Sequence, residues 1–235
     1  MGANFHDFVD PIPQKIINRV KKLNCALLCD GMKGTDVLRE GCMDADIMPI
    51  NRKLKMVGTA MTVETNNGDN FPIHVAIYSA RHGYVMVIDG KGYKERPYFG
   101  DLMMASAQAM GVAGMVVDGY CRDTNGCLEL NFPVYSRGIM QRGVIKKDPG
   151  IINGTVKCGG VIVNPGDLVV GDYDGVTVVP REKIEEIVDS AEEKFAYEKE
   201  RAKTIKSFSM ARKEGKKTPQ LAPQWVIDLQ NEQKS

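Results

Sequence analysis

The sequence predicts an α/β protein, and three observations carry that prediction. Short apolar runs ending in Asp-Gly, "YVMVIDG" and "MVVDGY", read as buried strands. Segments with helical periodicity stand between them. The resulting order, strand–helix–strand–helix–strand, favours a partly parallel sheet covered by helices.

The elements follow in chain order. "PQKIINRVKKLNCALLCDGM" reads as a helix with Ile16, Ile17, Val20 and Leu23 at helical spacing, a break near Asn24, and a second short helix from Ala26. In "KLKMVGTAMTVET", Val57, Thr59, Met61 and Val63 alternate with smaller residues, a strand pattern. "NNGDN" breaks the chain, and "FPIHVAIYSA" is a helix with Pro72 in its first turn. After the first buried strand, "KGYKERPYFG" reads as a loop. Leu102 to Met110 is a helix closed by Gly111. The second buried strand leads to a short helix in "RDTNGCLELN" and a strand in "PVYSRG". Beyond residue 155, β-rich pieces separated by N-P-G-D and D-Y-D-G turns suggest a small barrel or second sheet. From Arg181 the chain is helical, with Ile184, Ile187, Val188, Ala191 and Phe195 on one stripe. That helix outlasts its apolar stripe, so it is expected to project towards a neighbouring subunit. The last stretch, "TPQLAPQWVIDLQNEQKS", reads as a docked arm or a loose tail. The expected organisation is one catalytic domain over 1–200 and a helical arm over 201–235.

Composition narrows the function classes. The chain has 235 residues, 43% hydrophobic and 26% charged, with a net charge of +1. Such a balance favours neither nucleic acid nor an acidic membrane as partner. No apolar run reaches the roughly 20 residues of a membrane span. The N-terminus "MGANFHDFVD" lacks the charged-then-apolar layout of a signal peptide, so a cytoplasmic protein is expected. None of the six cysteines forms a C-x-x-C pair, which argues against a zinc knuckle and for reduced thiols.

The chemistry concentrates in "YFGDLMMASAQAMGVAGMVVDGYCRD", residues 98–123. A helix beginning at Gly100-Asp101 would offer the amides of Asp101, Leu102, Met103 and Met104, and the helix dipole, to an anion. Arg122-Asp123 follows a buried strand, at the edge where ligands of α/β sheets collect. A divalent cation beside Asp123 and an anionic substrate beside Arg122 would satisfy both. His74, in "FPIHVAIY", reads as a structural histidine near this site. Asp89, Asp118, Asp167, Asp172 and Asp174 lie in turns and read as structural. Lys91 is a candidate Schiff-base lysine, but no desolvated pocket is legible around it. No G-x-G-x-x-G loop points to a nucleotide cofactor.

The ordered set G-D, twenty residues, R-D, with "YFGDL" before it and "NPGD" and "DYDGV" after it, resembles the HMG/CHA aldolase group of the RraA-like family. "GDN" at 68–70, followed by His74, is also similar. The resemblance spans about Leu23 to Arg201. It implies a swivelling-domain-like α/β/β/α sandwich, assembled as a homotrimer or homohexamer with sites at subunit boundaries. It also implies a class II pyruvate aldolase that needs Mg²⁺ or Mn²⁺, cleaves 4-hydroxy-2-oxo acids and decarboxylates oxaloacetate. Asp123 matches the direct metal ligand, and Asp101 a carboxylate holding the metal through water. Arg122 matches the residue that stabilises the enolate, and the amides of Leu102, Met103 and Met104 the cradle for the pyruvate carboxylate. Glu198, with Glu200 as rival, matches a glutamate sent through water to the metal of the adjacent subunit. The alternative within the family is a non-catalytic protein that regulates a ribonuclease by contact.

Overall fold

The computed structural model describes residues 4–233. The terminal residues of the "MGANFHDFVD" and "QNEQKS" readings lie outside that range. In chain order the elements are β1 (Asn4–Phe5), α1 (Gln14–Val20), α2 (Cys25–Met32), β2 (Met48–Pro49), β3 (Met56–Glu64), α3 (Phe71–Ser79), β4 (Tyr84–Pro97), α4 (Asp101–Ala109), β5 (Gly114–Cys121), α5 (Thr124–Leu130), β6 (Val134–Ile139), β7 (Ile151–Ile152), β8 (Val156–Cys158), β9 (Val161–Val163), β10 (Leu168–Asp172), β11 (Gly175–Val179), α6 (Ile184–Lys213) and α7 (Gln224–Glu232). They form two compact units, one up to Ala191 and one from Glu192 onward.

The first unit is a mixed α/β structure on a central sheet. Strands β3, β4, β5 and β6 are parallel neighbours. Helices α3, α4 and α5 form the connections between them. Side chains alternate along each strand, so the sheet has two buried faces. Met86, Ile88, Met115 and Val117 face the helices, packing with Ile73, Ile77, Met104 and Cys127. Val85, Val87 and Val116 face the other way, onto Val156, Val163, Val169 and Val178 of the later strands. Helix α2 in turn packs on β11. The layers are therefore helices, parallel sheet, β-layer and helix, which is an α/β/β/α sandwich.

Two sequence expectations are revised here. The segment "KGYKERPY" is not a loop: β4 runs on through it to Pro97, and Tyr93 and Pro97 pair with Gly119 and Tyr120 of β5. A bulge at Lys91 (φ 56°) and Gly92 (φ 65°) shifts the register and lets the strand continue. This pairing is tertiary, so the polar side chains hid it. Of the two readings of the β-rich region after 155, the small barrel does not form and the second sheet forms only in part. β8 and β9 make a small antiparallel ladder, but β10 joins the main sheet antiparallel to β3, with β11 beyond it. β3 thus has neighbours on both edges and is buried along almost its whole length.

The second unit holds most of α6 and all of α7. Within it Lys199 lies over the Phe195 ring at 4.0 Å, and Arg201 donates to the Leu221 carbonyl at 2.9 Å. Among the described residues, no helix is long and apolar enough to cross a membrane.

A half-buried ion cluster ties the β-layer to the sheet. The Arg137 Nε donates to Asp118 at 2.5 Å and its Nη2 to Asp44 at 2.7 Å, while Nη1 reaches Asp46. The second Asp118 oxygen accepts the Gly159 amide at 2.8 Å. Asp118→Ala leaves the Arg137 Nε and the Gly159 amide without their acceptor and should cost roughly 1–3 kcal/mol in urea unfolding. Asp46→Ala removes a partner whose side chain is 61% exposed and should cost less than about 1 kcal/mol. Equal losses in the two variants would contradict this account.

Candidate functional site

Three connections leave the carboxyl ends of β3, β4 and β5 on one edge of the sheet. They are the 65–70 loop into α3, the short turn into α4, and Arg122-Asp123 before α5. Asn70, His74, Gly100, Asp101, Leu102, Met103, Arg122, Asp123, Val144 and Lys146 line one cavity there, of about 230 Å³.

Asp123 sits at the N-terminus of α5 in the left-handed region (φ 57°, ψ 43°), and its side chain makes no capping hydrogen bond. An aspartate in that place normally caps its helix. This carboxylate instead points at Gly100, where a Cβ would lie 2.3 Å from Asp123 Oδ2. Asp101 is held in a similar way, because a Cβ on Gly126 would lie 2.5 Å from its own Cβ. Both carboxylates thus reach the front of α4 through glycines that leave them room. Arg122 Nε lies 3.2 Å from Asp123 Oδ2, but it is not aligned to donate there and has no hydrogen-bond acceptor. Its Nη1 reaches the Arg142 carbonyl at 3.4 Å.

One expectation is corrected. The amides at the start of α4 are not free in this structure. Leu102 donates to its neighbour Asp101 Oδ1 at 2.7 Å. Met103 and Met104 both donate to the Gly100 carbonyl, at 3.1 and 3.0 Å. The first turn closes tightly on Gly100, and Asp101 uses one carboxylate oxygen to satisfy the next amide. The side chains of Met103 and Met104 are buried, so these residues face the cavity mainly with backbone.

Other lining residues had little or no sequence signal. Asn70 is 2% exposed, its Nδ2 donates to Met103 Sδ at 3.2 Å, and its Oδ1 has no partner. Lys146 and Val144 arrive on a loop with no periodic pattern. Asp69 brings that loop in: its Oδ2 accepts the amides of Lys147 and Asp148 at 2.9 and 2.8 Å, and its Oδ1 the Phe71 amide at 2.9 Å. The "GDN" motif therefore works partly as a backbone staple. On the other side, Arg96 of β4 donates to the Gly143 carbonyl at 2.7 Å, and Arg142 pairs with Glu95.

Glu198 and Glu200 lie in the second unit, both exposed, with Glu200 paired to Lys203 at 2.6 Å. Lys91 is exposed and pairs with Glu64 at 2.9 Å, which raises its pKa, the reverse of what a Schiff-base lysine needs. Cys121 is sealed in the core, and burial pushes its thiol up. Among the described residues no group of three or more His, Cys, Asp and Glu side chains could by itself hold a metal ion.

An RraA-like family model, described as Aldolase/RraA, matches residues 25–178. A protein of Halalkalibacterium halodurans named "Putative 4-hydroxy-4-methyl-2-oxoglutarate aldolase" is 41% identical over 169 residues, which cover 72% of this chain and 80% of that relative. An uncharacterized protein from Pseudomonas syringae pv. tomato superposes with a TM-score of 0.73 at 27% identity, over 87% of this chain and 92% of that one. RraAS2 of Streptomyces coelicolor, titled an unusual member of the RNase ES inhibitor RraA protein family, superposes with a TM-score of 0.71 at 26% identity, over 80% of this chain and 96% of that one.

His74 is half-buried beside Lys146, and burial first, then that ammonium, push its pKa below the usual 6.5. The ring should be neutral at pH 7. On acidification the unfolded chain takes up this proton first, so stability should fall as pH drops through 6.5 and level off once the folded ring protonates. NMR titration of His74 should show the lowered value, and Lys146→Met should move it up. A midpoint at or above 6.5 in the unmodified protein would contradict the geometry.

Proposed function

Since this chain belongs to the RraA-like family, we propose that it is a divalent-metal-dependent aldolase. It cleaves 4-hydroxy-2-oxo acids to pyruvate and a carbonyl product, and it decarboxylates oxaloacetate. The observation that carries this reading is the uncapped Asp123 carboxylate, lining one cavity with Asp101 and with an Arg122 Nε that lacks an acceptor.

The residues fit a hard cation. Mg²⁺ and Mn²⁺ favour oxygen ligands and are commonly held by one or two carboxylates, with water and substrate completing the shell. Asp123 would hold the cation directly, and Asp101 would hold it through water. Glu198 from a second copy of the chain would be a further outer ligand, in a homotrimer or homohexamer. When bound, the cation supplies a Lewis acid for the negative charge of the pyruvate enolate.

The chain's own groups do the rest. As the C3–C4 bond breaks, its electron pair moves into the enolate, and Arg122 donates to the oxygen where charge gathers. One well-placed donor of this kind contributes roughly 3 kcal/mol to the transition state. The proton of the 4-hydroxyl passes through water to Asp101. When the Asp101 carboxylate turns away, the Leu102 amide is released to the substrate carboxylate. Met103 and Met104 keep their internal bonds and act through the positive end of the helix. Neutral His74 and Lys146 close the wall. The alternative, a protein that only binds a ribonuclease, gives no use to a left-handed, uncapped carboxylate beside an arginine.

Pyruvate release from oxaloacetate should vanish with EDTA and return with Mg²⁺. Asp123→Asn should lower kcat/KM by on the order of 10³ without a change in melting temperature. Turnover that survives EDTA, or a fully active Asp123→Asn, would refute the proposal. Gly100→Ala should displace the Asp123 carboxylate, weaken Mn²⁺ binding in titration calorimetry and lower activity on the order of 10².

A further inference from the structure

Cys25, Cys121, Cys127 and Cys158 are buried, whereas Cys29 and Cys42 are half-exposed. These two come from different elements and meet at one residue. Cys29 lies in α2, and its Sγ is 3.3 Å from Thr177 Oγ1 on β11. Cys42 pairs its backbone with the same Thr177 across an antiparallel bridge. Paired residues of an antiparallel bridge put their side chains on one face, so both thiols converge on the Thr177 side chain.

The approach to Cys42 is strained. Arg39 (φ 56°), Glu40 (φ 48°) and Gly41 (φ 67°) are consecutive left-handed residues. Only glycine enters that region freely. The turn is pinned by Arg39, which donates to the Gly159 carbonyl at 3.3 Å and to Asp44 at 2.8 Å. Gly41 presses on β11, where a Cβ would lie 2.0 Å from the Val178 carbonyl oxygen. A strained turn persists only when its surroundings fix it. This one delivers the Cys42 thiol to Cys29. Neither cysteine lines the Asp101–Asp123 cavity.

We propose that Cys29 and Cys42 are a dithiol modification site, closed to an intrachain disulfide by a small disulfide oxidant. With oxidised glutathione, the Cys42 thiolate attacks one glutathione sulfur. The oxidant's S–S bond breaks, and one glutathione leaves as a thiolate that takes up a proton. Cys29 then loses its proton and attacks Cys42 Sγ, and the second glutathione leaves. Two protein thiols are oxidised by two electrons, and one glutathione disulfide is reduced to two thiols. Cys42 attacks first because the neighbouring Cys29 thiol lowers its pKa, whereas that of Cys29 is raised by Cys42 and by burial. Thiols gathered at one residue from two elements close by side-chain rotation to a bond of about 2.05 Å.

The test treats the full chain with oxidised glutathione under native conditions, quenches in acid, blocks remaining thiols with N-ethylmaleimide and digests with trypsin without reduction. Lys33 and Arg39 separate the two cysteines, so the bond appears in mass spectra as a cross-linked peptide pair. Cys25 shares the Cys29 peptide, so the cross-link must survive Cys25→Ser. It should disappear in Cys42→Ser, and Cys29→Ser should stop at the glutathione adduct on Cys42. Three results overturn the proposal: both wild-type cysteines recovered as maleimide adducts, a wild-type chain that stops at the adduct, or a cross-link lost in Cys25→Ser.

Discussion

A carboxylate stands against the first turn of α4 because Gly100 has no side chain. The Asp123 oxygen lies 2.3 Å from where any other residue would put its Cβ, too close for both. Gly126 makes the matching concession to Asp101. These two contacts decide where negative charge can lie on this edge of the sheet. They place it at the positive end of a helix and beside a guanidinium, which makes close anionic groups tolerable. The left-handed backbone of Asp123 is the accompanying cost, moderate for aspartate and far higher for most residues.

The cavity also depends on chain that is remote in sequence. Asp69 gathers three backbone amides and so fixes the loop carrying Val144 and Lys146. The far end of β4 holds the same loop from the other side through Arg96 and Glu95. A polar extension of a buried strand thus becomes one wall support of the site.

Much of this was legible in the residues. Apolar runs ending in Asp-Gly marked β4 and β5, and the spacing of Asp101 and Arg122-Asp123 marked the edge where they meet. What stayed hidden has a common cause. The extension of β4 is stabilised by Tyr93 and Pro97 pairing with β5, a contact that no local pattern encodes. Lys146 reads as an ordinary solvated lysine until Asp69 folds its loop over. The amides of α4 looked free because the sequence does not say that Asp101 turns back onto Leu102. The β10 strand read as part of a small barrel or second sheet because its partner, β3, lies more than a hundred residues earlier.

The left-handed geometry of Asp123 has an evolutionary corollary. Aspartate, asparagine and glycine are the residues that sit there at little steric expense, and among them aspartate alone is charged. Asparagine and glycine are each one nucleotide away from an aspartate codon. A lineage carrying this fold can therefore discard the charge in a single step while its architecture survives, and only reversal at the same codon brings it back.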